Sequence, residues 1–358
     1  MTACVEPRSG WADTPRRARR AWPWLLMGLA LPLSLLAALC VGRYPLPLPH
    51  AGSILAGLAL PEWARGWLPV ASATEHRVIE QVRLPRALLA LLAGSSLATC
   101  GAALQGAFRN PLVGPQILGI SSGAAFGGCM AILLVPSLPA TLALAFAGGL
   151  LAVSIVYALS RSQGRSTLLM LVLAGVVTGA FFSALISLAT YFADPNDSLP
   201  SIVFWLMGSF ATASYTKLAA AAPPILAGMA LLCLLRFRIN VLSLGDEQAA
   251  ALGIAVEPLR WTLLGCVTLV VSASVAVSGT VGWVGLVVPH IARMLVGPDH
   301  RVLLPASALL GGSYMLWVDT AARSVTSAEI PLGVITALIG APIFAWLLRR
   351  AQTRGNAA

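Results

Sequence analysis

Apolar runs of about 20 residues, the helix length that crosses a hydrocarbon core of about 30 Å, recur from one end of this chain to the other. A bilayer offers no water to satisfy peptide N–H and C=O groups, so an open chain of such runs has one solution, a bundle of helices. The runs fall at 24–42, 84–106, 116–135, 139–159, 167–192, 217–235, 260–279, 302–318 and 331–348, with a shorter one at 283–296 that either crosses or re-enters. The chain therefore reads as an all-α polytopic membrane protein with about ten transmembrane helices. Only 10% of its residues are charged, against about 25% in a soluble domain, and a water-soluble globule is excluded.

About ten crossings put both ends of the chain on one side, and loops rich in Lys and Arg stay cytoplasmic. With residue 1 inside, sixteen of the 23 Lys and Arg residues lie on the inner segments. The net charge of +10 thus reports topology and contact with membrane lipid, and no nucleic-acid partner is expected. Residues 1–23 read as a basic cytoplasmic tail, 24–350 as one transmembrane domain and 351–358 as a second cytoplasmic tail. The arginine-rich start has the outline of a signal peptide, but its apolar core is long and lacks a small-residue cleavage site, so an uncleaved first span is expected. The 43–83 interval, with Pro45, Pro47, Pro49, Pro61 and Pro69, reads as an outer loop carrying one short helix around 51–60.

Several chemistries lack their residues. There is no G-x-x-x-x-G-K-[ST] loop to cradle phosphate, no H-E-x-x-H and no G-x-S-x-G, so neither nucleotide hydrolysis nor a membrane hydrolase is expected and no catalytic residue is assigned. The four histidines form no cluster and the six cysteines are scattered without C-x-x-C, so no metal site or cofactor is expected. An ion-coupled carrier needs carboxylates in mid-membrane; here they sit in loops or near span ends, with Asp319 the nearest to an exception. Glycines four apart at Gly119, Gly123 and Gly127 read as a helix-packing stripe.

Three polar stretches carry information. In "GDEQAAALG", 245–253, Gly245 ends a turn, Asp246 and Glu247 suit a helix N-terminus, and Gly253 stops a short inner helix. In "RNPLVGP", 109–115, Pro111 cannot donate a backbone bond and pushes Asn110 out of the α region, which breaks the second span. On the outer face, Arg83, Arg86 and Arg323 stand against the positive-inside trend and need carboxylate partners; Glu80 and Glu329 of the same chain are the nearest in sequence terms.

These stretches, with "RLPRALLALLAGSSLATCGAALQGAF", "GTVGWVGLVVPHIARMLVGPDHRVLLP" and "AEIPLGVITALIGAPIFAWLL", resemble the FecCD family, permease subunits of ATP-binding-cassette (ABC) importers for iron-siderophores, haem and cobalamin. The resemblance runs from about 77 to 350. It implies the type II ABC importer permease fold, a homodimer in a bacterial inner membrane, separate ATPase subunits below and a periplasmic binding protein above. It assigns ATPase coupling to Gly245, Asp246, Glu247, Gln248, Ala249, Leu252 and Gly253. It assigns the inner gate and pathway to Asn110, Leu112, Ser166 and Thr167, and binding-protein docking to Arg83, Arg86 and Arg323. Arg109 departs from it, since the family often has an acidic residue there. The implied cargo is an iron chelate, ferric siderophore or haem, with cobalamin or another metal chelate or oxyanion as the alternative.

Overall fold

Helices take most of the described residues because each apolar run must satisfy its own backbone. A computed structural model describes residues 21–61, 69–162, 165–166 and 168–355. In chain order its helices are α1 (Ala21–Cys40), α2 (Leu48–Ala59), α3 (Ala73–Ala107), α4 (Ile120–Leu134), α5 (Leu138–Ser160), α6 (Leu168–Phe192), α7 (Ser198–Leu206), α8 (Tyr215–Leu234), α9 (Arg236–Leu242), α10 (Asp246–Ala251), α11 (Val256–Ser278), α12 (Val284–Val296), α13 (His300–Ser324) and α14 (Leu332–Gly355). Seven of them, α1, α3, α5, α6, α8, α11 and α13, are long and apolar enough to cross a membrane, and α4, α12 and the apolar part of α14 are shorter. Each falls on one of the runs read from the sequence. A two-residue antiparallel ladder pairs Arg161 with Ser166 and Ser162 with Arg165 between α5 and α6.

α3 and α11 are the most enclosed of the long helices, whereas α5, α6 and α8 leave most of their surface open. α3 packs on α13, α12, α11 and α8, and α4 packs on α5, α11 and α6. Close crossings are made through glycine: a Cβ on Gly94 would stand 2.2 Å from the Gly311 carbonyl oxygen, and one on Gly123 would stand 2.4 Å from that of Gly148. Gly123 and Gly127 thus face α5, in keeping with a packing stripe. Gly119 does not share that face; it precedes α4 as a left-handed residue with φ 71°.

The outer interval departs from a plain loop. α2 falls on the stretch where a short helix was expected, but α3 starts at Ala73, eleven residues before the apolar run. Ser72 caps it, with its Oγ accepting from Glu75 N at 3.2 Å while a Glu75 carboxylate oxygen accepts from Ser72 N at 2.7 Å. That reciprocal box is spelled "SATE" in the sequence, a signal masked by the surrounding prolines. Val78–Arg83 then form a π-helical turn inside α3, which advances the helix out of its 3.6-residue phase and turns Arg83 inward. Residues 1–20 of the basic tail and 356–358 of the terminal tail lie outside the described residues.

Candidate functional site

The inner site is built where α3 stops. Phe108 caps the helix, Arg109 N donates to the Gly106 carbonyl and Asn110 N to the Gln105 carbonyl, both at 3.2 Å, and Arg109 sits at φ 50°. The Asn110 side-chain oxygen then accepts from Leu112 N at 2.9 Å, an Asx turn that fixes the tight path around Pro111. Leu112 is 39% exposed, so the tip of the turn is open. Asn110 and Leu112 therefore lie together on this turn. Ser166 lies in the short ladder before α6; its side chain, and the whole of Thr167, lie outside the described residues.

Beside this turn stands α10. Gly245 (φ 134°) and Gly253 (φ 80°) bracket it, and Ala249 is buried against the body. Glu247 and Gln248 are exposed, and Leu244 and Leu252 are 61% and 63% exposed. Asp246 holds the N-terminus of α10 in place: both its oxygens accept from Arg260 Nη2 at 3.0 Å. The Arg260 side chain, only 1% exposed, also approaches Glu257 at 3.7 Å. Arg109 Nη2 reaches the same Asp246 at 3.5 Å. Arg260 was missed from sequence because it sits at the start of an apolar run, where it read as one more inner-face charge.

The outer arginines all find hydrogen-bond partners within the chain. Arg86 donates from Nε to both Asp319 oxygens at 3.0 Å, and from Nη1 and Nη2 to the two Glu329 oxygens at 2.8 and 3.0 Å. Arg83 donates to the Leu39 and Cys40 carbonyls at 2.6 and 3.0 Å and to that of Tyr44. Arg323 donates to the Ala38 carbonyl and lies 3.6 Å from Asp319. Burial explains the arrangement: Arg83 and Arg86 are 5% and 7% exposed, and a desolvated guanidinium must be hydrogen-bonded. Glu329 is the partner the sequence suggested; Glu80 instead meets His76 at 3.0 Å. Asp319 is 2% exposed; in the sequence it stood out only as the carboxylate nearest to mid-membrane, and its four-residue spacing from Arg323, a helical neighbour position, was the unused signal that could have found the pair. Arg43, Arg83, Arg86, Arg323 and Glu329 line a recess of about 200 Å³ at this end.

A second, larger recess of about 480 Å³ opens between α7, α12 and α14, lined by Met207, Thr280, Trp283, Val334 and Leu338 among others. Trp283 sits at φ 67° ahead of α12, with its ring 6.2 Å from that of Phe344. Among the described residues no three His, Cys, Asp or Glu side chains converge as a metal site.

Residues 30–350 match the FecCD transport family. The molybdate import system permease protein MolB of Haemophilus influenzae is 44% identical over 337 residues, covering 94% of this chain and 98% of its own. The hemin transport system permease protein HmuU of Yersinia pestis is 44% identical, over 75% of this chain and 82% of its own. A metal-chelate type ABC transporter solved in an inward-facing conformation superposes with a TM-score of 0.80 at 43% identity, covering 91% of this chain and 98% of that one.

Proposed function

The chain belongs to the FecCD transport family and is an ABC importer permease, and from that premise we propose that it forms, as a homodimer, the pathway for a metal-containing cargo across a bacterial inner membrane. Energy comes from separate ATPase subunits on the inner face, and cargo is delivered by a periplasmic binding protein on the outer face. Both termini are inside, as the excess of arginine on the inner segments favours.

The observation that carries this reading is α10. It is a short helix pinned at its N-terminus by a buried arginine, yet it presents Glu247 and Leu252 outward in a chain with no nucleotide-binding loop. A rigid helix with an unpartnered leucine is a seat for another subunit, and burying such a leucine contributes about 1.5 to 3 kcal/mol. The test is direct. The purified chain is expected to hydrolyse no ATP alone, and Leu252→Asp or Glu247→Arg is expected to release the ATPase subunits in pull-down. Hydrolysis by the isolated chain, or both variants assembling normally, overturns the reading.

Docking on the outer face is assigned to the arginine-lined recess. Arg83 has only carbonyl partners among its hydrogen bonds, so the recess keeps a positive excess suited to a partner's carboxylate. Because Arg86 and Arg323 are held in buried internal pairs, Arg43, which is exposed and donates only to the Ser327 carbonyl among its hydrogen bonds, is the cleaner probe. Arg43→Glu is expected to weaken binding-protein docking without loosening the buried pairs, and unchanged affinity removes docking from this recess.

For cargo, an iron chelate such as a ferric siderophore or haem is the first reading, in line with the relative named for hemin. A compact oxyanion is the second, favoured by the near full-length match to the permease named for molybdate. Retention of radiolabelled molybdate or of a ferric chelate by the partner binding protein decides between them.

A further inference from the structure

Arg109 occupies a backbone position that side chains ordinarily avoid. The two hydrogen bonds closing α3, from Asn110 N to Gln105 and from Arg109 N to Gly106, form a helix stop whose left-handed residue is usually glycine. The end of α10 repeats the pattern, from Ile254 N to Ala249 and from Gly253 N to Ala250, and there the left-handed residue is a glycine. At the end of α3 the chain places an arginine instead, a strained choice that persists only where its surroundings hold it.

What holds it lies on α10. Arg109 Nη2 is 3.5 Å from Asp246 Oδ1, and its Nη1 passes so close to Gly245 that a Cβ there would meet it at 3.3 Å. Asp246 is a fixed post, because buried Arg260 grips both its oxygens. Arg109 is the releasable arm: the two side chains are 40% and 41% exposed, and an ion pair so well solvated is weak enough to break and re-form.

We propose that Arg109 is a positioning residue that ties α10 to the turn at 109–115, so that displacement of α10 is passed to Asn110 and Leu112. This rests on the reading above, in which α10 meets the ATPase and the turn forms part of the inner gate.

The test uses the permease assembled with its ATPase and binding protein, with the six native cysteines replaced and a spin label on Leu112→Cys. Pulsed electron paramagnetic resonance reads the distance between the two copies with and without trapped ATP. Arg109→Gly removes the guanidinium and relieves the left-handed strain, so a merely structural role predicts a chain at least as stable and an unchanged nucleotide response. The coupling role predicts that Arg109→Gly still binds the ATPase and hydrolyses ATP, while the fraction of labels shifting with ATP falls at least about fivefold. Arg109→Lys restores part of it. A response in Arg109→Gly equal to wild type overturns the coupling. A wild-type label that ignores ATP while the ATPase stays bound and active overturns the gate reading and the coupling with it. A wild-type chain that binds no ATPase overturns the importer reading itself.

Discussion

Asp319 is a carboxylate enclosed in a spanning helix, and it is sustained there by Arg86 at 2.9 Å and Arg323 at 3.6 Å. Removing one partner of a buried pair costs about 3 to 5 kcal/mol, because the other charge is left uncompensated. Asp319→Asn is therefore expected to lower the thermal unfolding midpoint in detergent clearly, and Arg86→Lys to lower it too, since an ammonium cannot bridge two carboxylates as a planar guanidinium does. Equal midpoints for variant and wild type would remove the pair from the stability of the fold. Glu329, in the loop before α14, is held below the usual carboxylate range by hydrogen bonds from Arg86. A depressed folded pKa contributes stability that is present above the unfolded value of about 4.3 and lost as pH falls through the folded one. Glu329→Gln should thus be less stable than wild type by a constant amount at neutral pH, with the two curves converging in acid; parallel curves down through the acid range would refute the assignment.

At the scale of elements, helix contact is set by the absence of side chains. A Cβ on Gly123 would stand 2.4 Å from the Gly148 carbonyl oxygen, whereas one on Gly265, within α11, would meet nothing within 4 Å. Overpacking a tight contact costs about 1 to 3 kcal/mol, and replacing an unhindered mid-helix glycine by alanine returns about 0.5 to 1 kcal/mol. Gly123→Ala and Gly265→Ala should consequently shift the unfolding midpoint in opposite directions, and a shared direction would show that α4 and α5 can separate without loss. The start of α3 is a separate case, because the Ser72 and Glu75 box closes its first turn ahead of the apolar run. Ser72→Ala is expected to cost about 1 kcal/mol and to speed amide exchange over 73–77 while 84–107 stays protected. Uniform protection across both stretches would mean that packing, and not the cap, starts the helix.

In the whole molecule, α6 leaves Leu173, Val177, Phe181, Leu188 and Tyr191 exposed, and α14 leaves Leu338 and Trp346 exposed. Apolar surface of this extent is covered by lipid or by a second copy. The homodimer reading assigns part of it to the copy, so native mass spectrometry of the detergent-solubilised complex should show two permease chains with the ATPase. A single permease chain per complex under mild extraction would assign the whole face to lipid.

Segment length, hydropathy and the placement of arginine are properties of one stretch at a time, and the bilayer imposes them as a solvent; this is why the runs, the short inner helix and the break at Pro111 could all be read along the chain. Gly245, Asp246 and Gly253 were legible for the same reason, since caps and helix stops are local chemistry. The partners of the charges were not. Arg86 meets Asp319 across 233 positions of sequence, and the π turn that brings Arg83 inward leaves no mark in composition. Arg109 gave no sign that it would take a glycine's place in a helix stop in order to reach Asp246. Which charges meet depends on which helices pack together and in what rotational phase, and only the tertiary structure sets that, because an enclosed charge takes whatever partner the packing brings within a few ångströms.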